Sequence, residues 1–424
     1  MNITHAREAF SRLVLYARAL DTEPGHAMRR FVTALETRTE VEERYLDLVR
    51  AMYVAGPITG PMADAWQNHL LARILADENP LTLGASAGPL TPEVMEAAAH
   101  DLRHLQRLFQ LTGPACLSLG KLSGLPTWPG WGPPVSNNPA APSLAAMSAD
   151  MAAASDWSTL TERLVRFHRK SGAGIAAAHW YMRWTDRELT GITEPQLVNL
   201  DDLVGLQEAK STVIRNTEQF LRGGSANNLL LYGTRGTGKS SMVRGLAARY
   251  GEAGLRLVEV SHAAINTLPE LFRILKRSVQ RFVLFLDDLS FDENASDYRA
   301  FKSMVEGALE ERPVNVLLYA TSNRRHLLPE RWTDRNTPDT AEVHWQDAME
   351  EKLSLADRFG VTVLFPTPSQ EEYLVIAEHL AEQRGLHINP TELREAALRW
   401  VVWNNPRSGR AARQFVDDLA GRLV

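Results

Sequence analysis

The sequence predicts an α/β chain: a parallel sheet block with helical parts on either side. Two observations carry that prediction. From about residue 201, short apolar runs bounded by turn residues alternate with helical stretches: NNLLLYG, LRLVEVS, RFVLFLDDL, VNVLLYATSN and VTVLFP. Such alternation builds a parallel sheet covered on both faces. Outside this block the apolar residues recur mainly at three- and four-residue steps, which is the helical period.

The elements follow in chain order. Residues 1–111 read as a helical N-terminal domain, with EERYLDLVRAMYVAG and DAWQNHLLARILADE as amphipathic helices. In TPEVMEAAAHDLRHLQRLFQLTG, Thr91 is a cap, Pro92 takes the first helical position and Glu93 lies in the first turn, with Gly113-Pro114 as the stop. His100 and His104 share a helix face at i, i+4; without a third ligand nearby, the spacing reads as a solvated face rather than a metal site. Residues 112–155, rich in Pro, Gly, Ala and Ser, read as a linker or an ordered surface wrap, with Trp128 and Trp131 suggesting that part of it docks. Residues 156–200 read as a helical and aromatic connector whose Trp180, Tyr181 and Trp184 suit a core, or less readily a stacked base. The sheet block is 201–367, and the helical tail is 368–424.

Composition excludes several classes. Lys and Arg number 46 against 51 Asp and Glu, for a net charge of −5. That leaves no global basic field for nucleic acid or an anionic membrane. The single cysteine, Cys116, rules out an intrachain disulfide and any multi-cysteine metal cluster. The first twenty residues carry charges among apolar residues at helical spacing, an amphipathic helix rather than a secretory signal, and no stretch approaches 18 uncharged apolar residues. The expectation is a cytoplasmic protein without membrane contact. HExxH does not occur, and the G-x-S-x-G match at Gly84–Gly88 lies in the helical N-terminal part rather than between an apolar strand and a helix, which disfavours proteolysis.

The strongest motif is Gly233-Thr234-Arg235-Gly236-Thr237-Gly238-Lys239-Ser240, a G-x-x-x-x-G-K-[ST] loop after an apolar strand and before a helix. Its three glycines let the backbone curve around a phosphate. The helix start adds partial positive charge. Lys239 is a point charge for the β and γ phosphates, and Ser240 offers a hydroxyl to Mg²⁺. Ser241 suits packing or a backbone contact. Asp287 and Asp288 follow a buried strand at the carboxyl edge where open α/β sheets bind ligands. Asp287 suits Mg²⁺ and Asp288 the attacking water. Another strand ends in Thr321, Ser322 and Asn323, and a polar side chain there, such as Asn323, can lie between the γ-phosphate and that water.

Together these residues resemble an AAA+ ATPase, in the order phosphate loop, acidic strand end, strand-end Asn, a later Asp-Arg-Phe-Gly and an Arg in a helical lid. More closely, the chain resembles a bacterial AAA+ family of predicted ATP-binding proteins defined as a domain of unknown function. NLDDLVGLQEAK, ANNLLLYGTRGTGKSS, LFLDDLSF, ATSNRRHLLPE, EEKLSLADRFG and RSGRAARQFVDDL carry that resemblance, over roughly residues 180–424. Helicase loaders and replication initiators are more distant relatives by the same pattern. The resemblance implies a P-loop AAA+ core with a parallel five-stranded sheet in the order 5-1-4-3-2 and a C-terminal helical lid. It makes Lys239 and Ser240 the Walker A pair, Asp287 and Asp288 the Walker B acids, and Asn323 sensor 1. Arg358 matches an arginine finger acting on a neighbour's nucleotide, and Arg410 matches sensor 2, with Arg413 as the alternate. Val204 and Gly205 match the segment beside adenine, and residues 233–241 would hold ATP or ADP. Asp288 departs from the usual Glu by one methylene, which bears on the hydrolysis rate. The implied function is a Mg²⁺-dependent ATPase in a homo-oligomer acting on an unidentified protein client, or a slow ATP-dependent adaptor or loader. Arg324, Arg325 and His326 form a basic cluster, but with the net negative charge and no helix-turn-helix signal DNA is the less favoured partner.

Overall fold

The computed structural model describes residues 3–56, 60–85, 88–128, 138–289, 312–323, 359–403 and 407–423. They cluster into two units. The first is Met1–Trp180 with Gly191–Pro195 and Arg277–Gln280; the second is Tyr181–Thr190, Gln196–Lys276 and Arg281–Val424. The sheet-bearing unit therefore begins near residue 181, not at 201.

The first unit is helical around one apolar core that includes Phe31, Tyr45, Trp66, Leu102 and Trp157. Some of its helices start where side chains cap them, although Thr91 takes the cap position of the helix from Pro92 without a side-chain cap bond. Thr22 accepts from Gly25 N, Asp64 from Gln67 N, and Asn79 with Thr82 forms a reciprocal capping box. The helix from Pro92 ends at Phe109, and Gly113-Pro114 opens the next one, Gly113–Gly120, capped by Thr112. The expected stop is thus a start, because proline is tolerated in a first turn that needs no N–H. The described residues of 112–155 pack as the docking alternative expects. Cys116, Trp128, Met147 and Met151 are buried in the first unit's core, and Trp128 Nε1 donates to Asp64 at 3.1 Å. Trp131 lies outside the described residues.

The second unit is built on a seven-stranded sheet: β1 (Tyr181–Thr185), β2 (Glu188–Gly191), β3 (Leu229–Gly233), β4 (Leu255–Val260), β5 (Arg281–Leu286), β6 (Val316–Ser322) and β7 (Val361–Phe365). The order is β2-β1-β4-β5-β6-β3-β7. The expected count of five strands is corrected to seven. The five anticipated strands are neighbours in the succession β7-β3-β6-β5-β4, and β1 and β2 extend the sheet beyond β4. The pairs β1–β4, β4–β5, β5–β6, β6–β3 and β3–β7 are parallel. A two-residue turn, Asp186-Arg187, joins β1 to β2 as a hairpin, with both residues at positive φ. Tyr181 and Trp184 of β1 are buried in this sheet, so the aromatic run is core. β5, β6 and β3 lie side by side, and their carboxyl ends carry Asp287, Asn323 and Gly233 to one edge. Three further helices, Gln370–Gln383, Pro390–Trp403 and Gly409–Leu423, share a core of their own that includes Tyr373, Ala397 and Phe415.

Candidate functional site

The Gly233–Ser240 loop leaves β3 at Gly233, where a Cβ would lie 2.1 Å from the carbonyl oxygen of Phe365 on β7. Only glycine fits that close approach. Gly238 takes the cap position of the helix Lys239–Tyr250 in the left-handed conformation. Lys239 is buried, and its Nζ donates to the carbonyls of Gly233 and Thr234, each at 2.7 Å, and to Asn323 Oδ1 at 3.1 Å. Burial pushes its ammonium below the usual lysine range. Asp288 and Asp287 oppose that shift, while Arg235 and Arg410 add to it. Thr237 Oγ1 donates to Thr234 O at 2.9 Å and braces the loop. Thr234 and Arg235 are exposed, and Ser241 is half-buried in the helix's first turn.

The acidic edge is built around Asp287. Its Oδ1 accepts from Ser240 Oγ at 2.6 Å and from Thr321 Oγ1 at 2.7 Å. Its Oδ2 accepts from Arg244 Nη2 at 3.3 Å. His262 Nε2 lies 3.0 Å from its carbonyl oxygen. Asp288 is exposed and sits at φ 53°, with its N–H donated to Thr321 Oγ1 at 2.8 Å. Its carboxylate accepts from Asn323 Nδ2. Asn323 therefore bridges the loop lysine and the second acid through the two ends of one amide. The sequence singles out neither Arg244 nor His262. Thr321 is legible there only as one of the polar residues that end the strand, not as the hydroxyl that contacts both acids.

The C-terminal helices meet this edge through their last member. Gly409 N donates to Gly236 O at 2.9 Å, and Ser408 Oγ accepts from Ala411 N at 3.1 Å. Gly236 has φ 77°, and a Cβ there would lie 3.0 Å from Ser408 Oγ and 3.1 Å from Arg410 Cβ. Arg410 is thus beside the loop. Arg413 instead lines a groove with Leu380, Arg384 and Asp417. Val204 and Gly205 are half-buried, and a Cβ on Gly205, at φ 76°, would approach Glu372 Oε1 to 2.9 Å. Their neighbours Leu203 and Leu206 come within 3.6 and 3.5 Å of a Cβ placed on Gly238. His379 Nε2 lies 3.2 Å from Asp202 Oδ1, so the same segment is also tied to the helix Gln370–Gln383. Arg358, Arg324, Arg325 and His326 lie outside the described residues.

Other candidates resolve elsewhere. His100 and His104 meet at 3.2 Å between their Nε2 atoms, but His104 is buried rather than solvated. Among the described residues no group of three or more His, Cys, Asp or Glu converges on a metal position. Cys116 is buried, which pushes its thiol up and away from reactivity. No described helix is long and apolar enough to cross a membrane.

Residues 174–423 match the family described as "Protein of unknown function (DUF815)", which is more than half of the chain. The chain belongs to the DUF815 family. The DUF815 match takes in the hairpin, the loop, the acidic edge and the C-terminal helices. Over 222 residues the chain is 29% identical to the Holliday junction branch migration complex subunit RuvB of Nocardia farcinica (strain IFM 10152), a stretch covering 51% of this chain and 56% of that protein. The chain thus spans little more than half the length of that curated relative. Among solved structures, Thermotoga maritima RuvB, the Holliday junction branch migration motor, aligns at 17% identity and a TM-score of 0.37, covering 53% of this chain and 65% of that one. A single-residue variant of the same protein aligns at 17% and 0.38, with the same coverage.

Proposed function

We propose that this chain binds Mg-ATP and hydrolyses it as an AAA+ ATPase in the cytoplasm, working in a homo-oligomer to remodel or switch a protein partner. The supporting observation is one cluster: Lys239 on Asn323, Asn323 on Asp288, and Ser240 on Asp287 at 2.6 Å. Its donor set fits the ligand, since a loop ammonium suits phosphate and a hydroxyl beside a carboxylate suits a hard divalent cation. Lys239 holds the β and γ phosphates, with the backbone of residues 233–241 around them. Ser240 and Asp287 hold magnesium, which when bound neutralises charge on the phosphates. Asp288 orients and deprotonates the attacking water, and Asn323 fixes Asp288 to the phosphate side. Arg410 contacts the nucleotide from the C-terminal helices, Val204 and Gly205 flank the adenine, and Arg358 completes the site of a neighbouring subunit.

The experiment is a titration with a fluorescent ATP analogue, alongside phosphate release. Lys239→Ala should weaken binding at least about tenfold, or ~1.4 kcal/mol; unchanged binding overturns the assignment. Arg358→Ala should bind ATP but lose turnover, and full activity would remove the trans finger.

A second reading is an adaptor or loader that hydrolyses slowly and acts by binding. Asp288 favours it, being shorter than Glu and set at φ 53°. Unaided turnover above about one per second would exclude it. The likeness to a branch-migration subunit supports action at DNA as an extension of either reading, tested by salt-dependent binding to a branched DNA probe.

A further inference from the structure

We infer that Arg244 is a positioning residue that competes with the divalent cation for Asp287, and that its grip is set by Glu259 and Arg183. The inference rests on the reading of Asp287 as a magnesium ligand. Arg183 of β1, Glu259 of β4 and Phe285 of β5 are register partners in one row across three strands. Asp287 follows Phe285 by two residues, which returns it to the same face. The Arg244 guanidinium lies over the Phe285 ring, 6.0 Å from its centroid. It stands between two carboxylates, Asp287 at 3.3 Å and Glu259 at 3.9 Å. Glu259 is shared in turn with Arg183, at 3.1 Å. Tyr181 of β1 fixes the same helix by donating to the Arg244 carbonyl at 2.9 Å.

The electrostatic consequence has a definite sign. Ser240 and Thr321 occupy Oδ1 of Asp287, and Arg244 occupies Oδ2. A divalent cation bound there shares its ligand with a fixed positive charge, and like charges at such range repel. Glu259 relieves that repulsion by drawing the guanidinium toward itself. The outer hairpin strand β1 therefore reaches the metal ligand through Arg183, Glu259 and Arg244, so a partner that engaged Arg183 would change magnesium affinity without touching the nucleotide.

The test is the magnesium concentration giving half-maximal binding of a fluorescent ATP analogue to the full chain. Arg244→Met should lower it about threefold or more, and Glu259→Gln should raise it by a similar factor. A merely structural role moves both variants the same way, toward weaker binding. Shifts of the same sign, or none, overturn the inference while leaving magnesium-dependent nucleotide binding intact. A wild-type chain that bound no nucleotide would overturn both the inference and the reading beneath it. Should thermal melting show Arg244→Met unfolded, Arg183→Gln supplies the opposing sign: it leaves Glu259 to Arg244 alone and should lower the half-maximal concentration, where a merely structural role would raise it.

Discussion

At the scale of single residues, the acidic edge depends on a hydroxyl that no motif names. Thr321 is 1% exposed, donates to Asp287 and accepts from the N–H of Asp288. Its own carbonyl accepts from Leu289 N at 2.7 Å. One side chain thus sets the directions of both acids. Thr321→Val keeps the shape and removes the hydroxyl, leaving the Asp288 N–H without its acceptor. Such an orphan costs about 1–3 kcal/mol when fully buried, and this part-buried one falls toward the lower end. The expected outcome in urea unfolding is a loss of stability in that range, with weaker magnesium-dependent ATP binding. Thr321→Ser should recover most of both. A valine variant as stable as the parent would show that water replaces the hydroxyl.

At the scale of elements, the contact between the phosphate loop and the last helix turns on Gly236. Its carbonyl takes the Gly409 N–H, and its left-handed backbone lies against Ser408 and Arg410. Gly236→Ala meets two obstacles. The positive φ costs about 1–2 kcal/mol for any residue with a Cβ, and the new methyl is set 3.0 Å from Ser408 Oγ. The cheaper response is to move the helix Gly409–Leu423 away. Hydrogen exchange at the Gly409 amide should then quicken, and ATP affinity should fall about tenfold through loss of the Arg410 contact. Unchanged exchange would show that the loop, not the helix, yields. The elements themselves were unequally legible in the sequence. β3 to β7 announce themselves as apolar runs with turn residues at both ends. β1 and β2 do not, because their turn is Asp186-Arg187 rather than the glycine-bearing pair that marks most two-residue hairpins. The Pro-rich stretch was half legible. Trp128 pointed to docking and is buried, whereas the burial of Cys116 rests on tertiary packing that local composition cannot encode. At the site, Lys239, Ser240, Asp287, Asp288 and Asn323 were readable because their chemistry is local to a loop and two strand ends. Arg244 and His262 act only across elements and were not, and Thr321 was readable as a polar strand end but not as the group that orients both acids.

At the scale of the whole molecule, the two units differ in what they bury. The first unit holds two histidines whose pKa burial depresses to about 4. His69 lies between Trp66 and Thr22, with Arg73 adding repulsion, and His168 is held through Nδ1 against the Gly172 carbonyl. Burial also depresses His179 in the same unit, and His104, where the neighbouring His100 and arginines add to it. The sign of the linkage is fixed. A histidine with a folded pKa below its unfolded value of about 6.5 binds its proton preferentially in the unfolded chain. Its stability contribution is complete above pH 6.5 and is lost as the pH falls toward the folded value. Within that window each of His69 and His168 removes about 1.4 kcal/mol per pH unit. The first unit should therefore loosen between pH 6.5 and 4, starting at the helices that carry these residues. Hydrogen-exchange protection factors in Ala65–Leu75 and Thr161–Ser171 should fall steeply from pH 6.5 to pH 4.5. His168→Gln, which cannot take a charge, should flatten the slope in Thr161–Ser171 even if it lowers protection at pH 7. Protection in both helices that stayed constant across that range would mean that these imidazoles titrate alike in the folded and unfolded chain, and that burial does not govern the acid response of this unit.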